Sequence, residues 1–225
     1  MKTNESGLAT FPFLLNWLYC QAQTHDFPGK YRLFLWSVRV FKGRSIKYRI
    51  NGKSFFVPVE EWCFWLEKGP TNYYPQDIQP FVAAINHSPE KMLMIDCGAD
   101  IGAVSMMVAS GTDNIARYVC IEPNPSAFAL LEANQSVFKA KADLVNKAVS
   151  NFCGSATLHC DANITSDHDA YIQVDSDGVT EVTTLDKLGT TLGFSDAKYI
   201  ALKIDVEGQE PAVFEGARHL LLNSE

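Results

Sequence analysis

Residues 92–105, MLMIDCGADIGAVS, constrain this chain more than any other stretch. An apolar run ends at Asp96, a turn on Gly98 and Gly102 follows, and apolar residues recur at helical spacing from Ile101. A strand that stops on a carboxylate and passes through a glycine turn into a helix is the opening unit of an α/β sheet. The pattern recurs downstream. RYVCIEP (117–123) reads as a second strand with PSAFALLEANQSV as its helix, and ADLVNKAVS (142–150) as a third strand. YIALKIDVEG (199–208) is the fourth, feeding the helix EPAVFEGARHLLLN. SATLHC, YIQV and EVTTL are expected as short extra strands around an acidic loop at about 161–169. Continuous apolar strands alternating with helices predict an α/β fold with a doubly wound, mostly parallel sheet.

Ahead of this unit the chain is different in kind. Residues 11–23 and 30–42 read as helices separated by DFPGK, and SIKYRI (45–50) and SFFVPV (54–59) flank Asn51-Gly52, a hairpin signal. A helix is expected at about 77–87, ended by His87-Ser88-Pro89. Residues 1–70 carry ten Lys/Arg against five Asp/Glu, and the remainder nine against 21, so the two parts differ in sign. We read residues 1–72 as a basic helical and hairpin extension and 73–225 as the ligand-binding domain. No run reaches the roughly 18 apolar residues of a membrane span. Six cysteines form no CxxC pair and suit reduced packing thiols, which favours a cytoplasmic protein. Nothing in the sequence calls for a metal; Asp175-Ser176-Asp177-Gly178 reads as an acidic turn rather than a calcium loop.

In sheets of this kind ligands bind at the carboxyl ends of the strands. Asp96, Glu122 and Asp205 fall there, each at the end of a predicted strand. Glu122 lies 20 residues beyond Gly102, where an acidic side chain takes a ribose diol. A dinucleotide fits poorly. GxGxxG is absent, and Asp100 stands where the second glycine would admit a pyrophosphate, so a carboxylate would face a diphosphate at close range. S-adenosylmethionine (SAM) removes the conflict: it offers an adenine and a ribose without phosphate, and its sulfonium and ammonium are attracted by acidic groups.

Five ordered blocks then carry a family resemblance: MIDCGADIG, CIEPNPSAFALLEANQ, NKAVSNFCGSATL, VTTLDKL and LKIDVEGQEPAVFEGARHLL. With the weaker NYYPQD ahead of them, they resemble the FkbM-family SAM-dependent methyltransferases over roughly 73–220. The resemblance implies a Rossmann-like class I methyltransferase fold and O-methylation of a sugar, glycan or polyketide-type hydroxyl. It places Asp96, Gly98, Ala99, Asp100 and Gly102 in the SAM turn, Glu122 with Asn124 at the ribose, and Ala148 beside adenine. Asp205, Glu207 and Lys203, from the KIDVEG block, are the implied catalytic set. Asp100 replaces the family's usual Asn, and Asn151 stands where an Asp often follows AVS. A complete sheet of this class adds a fifth strand and an antiparallel pair, so the chain is expected to be C-terminally short, with an unpaired edge that offers a homodimer contact. The alternative from another class is a non-catalytic SAM-fold binding module.

Outside the blocks, His159 and His168 are candidate bases, and Asp186 is expected to N-cap its helix. Residues 30–53 carry eight Lys/Arg and no Asp/Glu, with Arg32, Trp36 and Arg39 on one helical face and Phe34, Val38 and Phe41 opposite. One reading is a solvated basic face on packed scaffolding. The other is a cover at the acceptor entrance that attracts an anionic substrate, with Trp36 and Tyr48 stacking on sugar rings or resting on a membrane surface. A net charge of −7 for the whole chain disfavours nucleic acid.

Overall fold

The computed structural model describes residues 8–160 and 170–223. Two helices come first, α1 (Phe13–Thr24) and α2 (Lys30–Phe41). They pack on an antiparallel hairpin of β1 (Ser45–Ile50) and β2 (Lys53–Pro58). Asn51 and Gly52 both have positive φ, 50° and 74°, as the Asn-Gly signal requires for a tight primed turn. The stretch after the hairpin contains a short helix α3 (Trp62–Leu66), and α4 (Pro75–His87) starts on a proline at its first turn.

The predicted alternation then unfolds as β3 (Met92–Cys97), α5 (Ala103–Gly111), β4 (Ile115–Ile121), α6 (Pro125–Asn134) and β5 (Lys141–Val145). After β6 (Ala148–Val149), β7 (Gly154–His159), β8 (Tyr171–Val174), β9 (Thr180–Thr183) and α7 (Leu185–Leu192), the chain returns through β10 (Ile200–Ile204) to α8 (Glu210–Glu215) and α9 (Arg218–Asn223). Strands β10-β3-β4-β5 form a four-stranded parallel sheet in that order. A second four-stranded sheet, β6-β9-β7-β8, is mixed and holds the extra strands expected from the sequence.

Both faces of the parallel sheet are covered. Met94, Tyr118, Cys120 and Ala201 pack with Ile85, Met106 and Leu131 of α4, α5 and α6, and with Phe55, Phe56 and Val57 of β2. Leu93, Ile95, Val119 and Ile121 pack on the other side with Leu185, Leu188, Val213 and Ala217. A buried Asn134 fastens the hairpin: its amide donates to the carbonyls of Phe56 (3.0 Å) and Ile101 (2.9 Å), and its oxygen accepts from Phe56 N–H (2.7 Å).

Three sequence expectations are corrected. The third strand does not run through to Ser150. It stops at Val145, where the Asn146 side chain donates to the carbonyls of Glu122 and Pro123, and Ala148–Val149 pairs with Val182–Thr183 in the second sheet. The last helix is broken at Gly216, where a Cβ would lie 2.1 Å from the Ser150 carbonyl oxygen. Asp186 does not cap its own helix. Thr184 does, accepting from Lys187 N–H at 3.1 Å, while the Asp186 carboxylate accepts from His219 and Leu220 N–H (3.0 and 2.8 Å) at the start of α9.

The exits of β3 and β10 almost touch. At Gly98, φ 72°, a Cβ would sit 1.8 Å from the Asp205 carbonyl oxygen, whereas at Gly208, φ 87°, it would meet nothing within 4 Å. Both positions favour glycine by conformation, but only Gly98 is closed by packing. Gly208→Ala should therefore cost about 1–2 kcal/mol of unfolding free energy. Gly98→Ala should cost at least about 3 kcal/mol, because the strand exits must separate. Denaturant titration of the two variants measures this difference, and equal costs would show that the close approach is not constraining.

Candidate functional site

Each strand of the parallel sheet delivers its last residues to one edge, and a cleft opens there. Its floor is the β3–α5 turn. Gly98 and Ala99 both donate their N–H to the Ile121 carbonyl (3.0 and 2.9 Å), and Gly102 N–H donates to the Ala99 carbonyl (2.8 Å). Asp100 N–H donates to Glu122 Oε2 at 2.9 Å. The donors of Gly98, Ala99, Asp100 and Gly102 are thus engaged within the protein. A phosphate-binding turn instead points free N–H groups at its ligand.

Glu122 is buried at the end of β4 and lines the cleft. Its other oxygen accepts from Asn124 N–H at 2.8 Å. Burial, with the charge of Asp100 beside it, pushes its carboxyl up to about 7. Asn124 also lines the cleft, and its side chain caps α6 by accepting from Ser126 N–H at 3.0 Å.

Beneath the floor lies a buried ion pair. Lys203 Nζ stands 3.1 Å from Asp96 Oδ1 and 3.7 Å from Asp205 Oδ2, and it donates to the carbonyls of Gly98 (2.5 Å) and Cys97 (3.3 Å). Asp96 is fully buried, and its second oxygen accepts from Ser105 Oγ at 2.7 Å. Burial alone would pull the Lys203 ammonium down, but Asp96 and Asp205 outweigh it and hold the group above its ordinary value. Lys203 is therefore a fixed cation. Burial pushes the Cys97 thiol up to about 12, as suits a packing cysteine, and all six cysteines are free.

Gly98, Ala99, Asp100, Glu122, Asn124, Ala148, Lys203, Asp205 and Glu207 all line this cleft. Asp96 and Gly102 do not. Asp96 acts from below through Lys203 and Ser105, and Gly102 faces the core, where a Cβ would lie 2.9 Å from Leu131 and 3.0 Å from Phe138. Of the five non-glycine residues with positive φ among the described residues, Asp100 (49°) and Glu207 (50°) line the cleft, and Tyr74 (39°) adjoins Tyr73, which lines it too. Strained backbone concentrates at binding sites because the surrounding structure must enforce it.

The walls contain residues that the sequence did not single out. The second sheet contributes Val149, Leu158, Tyr171 and Ile172 beside Ala148, and Tyr73 enters from the segment before α4. The Tyr171 ring, 52% exposed, stacks on His159 with centroids 4.8 Å apart, and His159 Nε2 sits 3.0 Å from Gln173 Oε1. His159 thus backs a wall residue without lining the cleft itself, and His168 lies outside the described residues. The NYYPQD block was the available signal for Tyr73. For Tyr171 there was none, because its place depends on pairing with β7. Lys147 lines the cleft paired to Glu181, and no basic residue of 30–53 lines it.

Among solved structures, the crystal structure of a "putative transferase" from Pyrococcus horikoshii is similar at 15% identity and a TM-score of 0.31. The likeness covers 56% of this chain and 55% of that one, so the chain spans about half of its length, and at this distance it carries no argument. No curated protein matches the chain. The sequence model of the methyltransferase FkbM domain matches residues 96–224, from the Asp96 carboxylate under the cleft through α9, and with more than half of its length so matched the chain belongs to the FkbM methyltransferase family.

Proposed function

We propose that the protein is a SAM-dependent O-methyltransferase acting on a hydroxyl of a sugar, glycan or polyketide-type small molecule, on a doubly wound, Rossmann-like sheet of class I type. One observation carries the cofactor reading. The glycine turn has spent its N–H donors internally, while Asp100, Glu122, Asp205 and Glu207 line the cleft and its two lysines are both paired. Such a surface repels a pyrophosphate and attracts a cation. Glu122 is placed to accept from a ribose diol, and Ala148, Val149, Leu158 and Ile172 offer an apolar wall to an adenine. When bound, SAM supplies an electrophilic methyl group and leaves as a neutral thioether.

The protein's own part is mostly alignment. Holding an acceptor hydroxyl in line is worth about 7–11 kcal/mol, and a general base adds about 10²–10⁴-fold. Asp205, with its side chain 65% exposed at the cleft edge, is the carboxylate placed to accept the hydroxyl proton, and Glu207 follows it on a strained turn. Lys203 acts as a positioning residue: a cation held by Asp96 and two carbonyls orients Asp205 and has no free site for a proton. The exposed face of Tyr171 suits the apolar face of a sugar ring.

SAM at 100 times its dissociation constant should stabilise the fold by about 2.7 kcal/mol, and NAD should give no shift. A folded sample whose melting temperature ignores SAM removes the cofactor assignment. Affinity should also depend on Glu122. Its carboxyl, at about 7, offers both oxygens as acceptors to the diol only when ionised, so binding should be about tenfold weaker near pH 6 than near pH 8. Stability of the free chain carries the opposite sign. Between the ordinary 4.5 and about 7 the folded state keeps a proton that the unfolded state has lost, so this group's contribution falls as pH rises. Calorimetric titration across that range, with Glu122→Ala as the control that flattens both trends, reads the two effects. Asp205→Asn should lower kcat about 10²-fold while SAM affinity changes little. Unchanged turnover would take Asp205 out of the chemistry.

A further inference from the structure

The cleft leaves the first two helices without a role, yet they expose most of what a soluble surface hides. On α1, Phe13, Leu14, Trp17 and Leu18 are 88%, 68%, 51% and 48% exposed. Their spacing puts them on one face. The opposite face is sealed by buried Tyr19 and Gln23, with Tyr19 OH donating to Ser37 Oγ of α2 at 2.9 Å. On α2, Phe34, Val38 and Phe41 turn inward as the sequence predicted, and Tyr31, Leu35, Trp36 and Val40 turn outward, interleaved with exposed Arg32 and Arg39. Of the 18 large apolar side chains exposed among the described residues, nine fall between Phe13 and Val40. Scattered apolar residues are ordinary on a surface, but this concentration is not.

Charge decides what covers it. Between Leu8 and Val59 the sequence has eight Lys/Arg and one acidic residue, Asp26, which is taken by Lys30 and Lys68. Arg32, Arg39, Lys47, Arg49 and Lys53 have no ion pair among the described residues. A second copy laid face to face would set Arg32 and Arg39 against their own mates, with no carboxylate on the patch to receive them. An anionic bilayer answers both features at once. Lipid phosphates pair with the arginines, the acyl boundary takes Phe13, Leu14 and Leu18, and Trp17, Tyr31 and Trp36 sit at headgroup depth. With 12 residues each, neither helix is long enough to cross, so they lie in the plane. We infer that α1 and α2 form a peripheral docking surface for anionic membrane.

Co-sedimentation of the full chain with phosphatidylcholine vesicles, with and without phosphatidylglycerol, tests this. The protein should pellet with the anionic vesicles, remain largely in solution with pure phosphatidylcholine, and release as salt rises. Neutralising both arginines, Arg32→Gln with Arg39→Gln, should weaken binding about 30-fold. Leu14→Glu with Leu18→Glu should abolish it, with the parent's melting temperature kept because both side chains are exposed. Brominated lipid should quench tryptophan fluorescence of the unaltered chain, a readout that needs no variant. Absence of binding to phosphatidylglycerol vesicles overturns the inference, and so does binding that ignores both pairs of substitutions. A dimer in sedimentation velocity that Leu14→Glu breaks would assign the face to a second copy and overturn it equally.

Discussion

The pairing of Lys203 with Asp96 sets the geometry of the ligand edge. The two residues are register partners on adjacent parallel strands, β10 and β3, and the carboxylate is fully buried. Two charges taken out of water are tolerated only when their remaining hydrogen-bonding capacity is met. Here Lys203 also reaches the carbonyls of Cys97 and Gly98 and Asp96 Oδ2 accepts from Ser105, while Asp96 Oδ1 is held, among the described residues, by the Lys203 charge alone. Removing either partner leaves the other uncompensated, at a cost of about 3–5 kcal/mol. The pair holds two strand exits so close that only a glycine fits at position 98, and that approach sets Asp205 beside the turn. The floor of the cleft and its Asp205 edge are thus fixed by one interaction.

The turn above that pair has the shape of a phosphate-binding turn with its donors engaged within the protein. A strand–glycine turn–helix unit usually cradles phosphate with free N–H groups. In this chain the same shape is closed on itself, with Ile121, Ala99 and Glu122 receiving the donors. Glu122 can do this because Asp100 adopts a left-handed conformation that aims its N–H across to β4. A glycine at position 100 would reach that conformation with less strain. The side chain present adds instead a carboxylate at the mouth. The residue holds that conformation at a cost in backbone strain, and the strain falls at the cleft.

Periodicity made the parallel strands legible, because β3, β4 and β10 are largely apolar runs that end in turn signals, whereas β5, KADLV, is apolar only in part and its end carries no such signal. The Asn51-Gly52 hairpin and the inward face of α2 were legible for the same local reasons. Features decided by distant partners were not. Residues 146–150 look like more strand, and only the side chain of Asn146 and the edge offered by β9 redirect them. Gly216 looks like a tolerated helix glycine until the Ser150 carbonyl is set against it. Asp186 has the right spacing for a cap, and its carboxylate serves a helix more than 30 residues away. Tyr73 and Tyr171 reach one cleft from the segment before α4 and from β8, far apart in the sequence.

The hairpin explains how the outward helices and the inward cleft coexist in one chain. Ile50, Phe55, Phe56 and Val57 complete the core of the parallel sheet, and the Asn134 amide locks Phe56 to α6. Ile46 and Val59 instead gather Phe11, Tyr19 and Trp65 into a second small core under α1 and α2. A two-stranded ribbon is marginal alone; here one face, with Ile46, Ile50, Phe55 and Val57 on it, is shared along its length between the two cores. One side of each helix is used up on the second core. Nothing is left within the described residues to cover the far sides of those helices, so their apolar and basic residues remain at the surface.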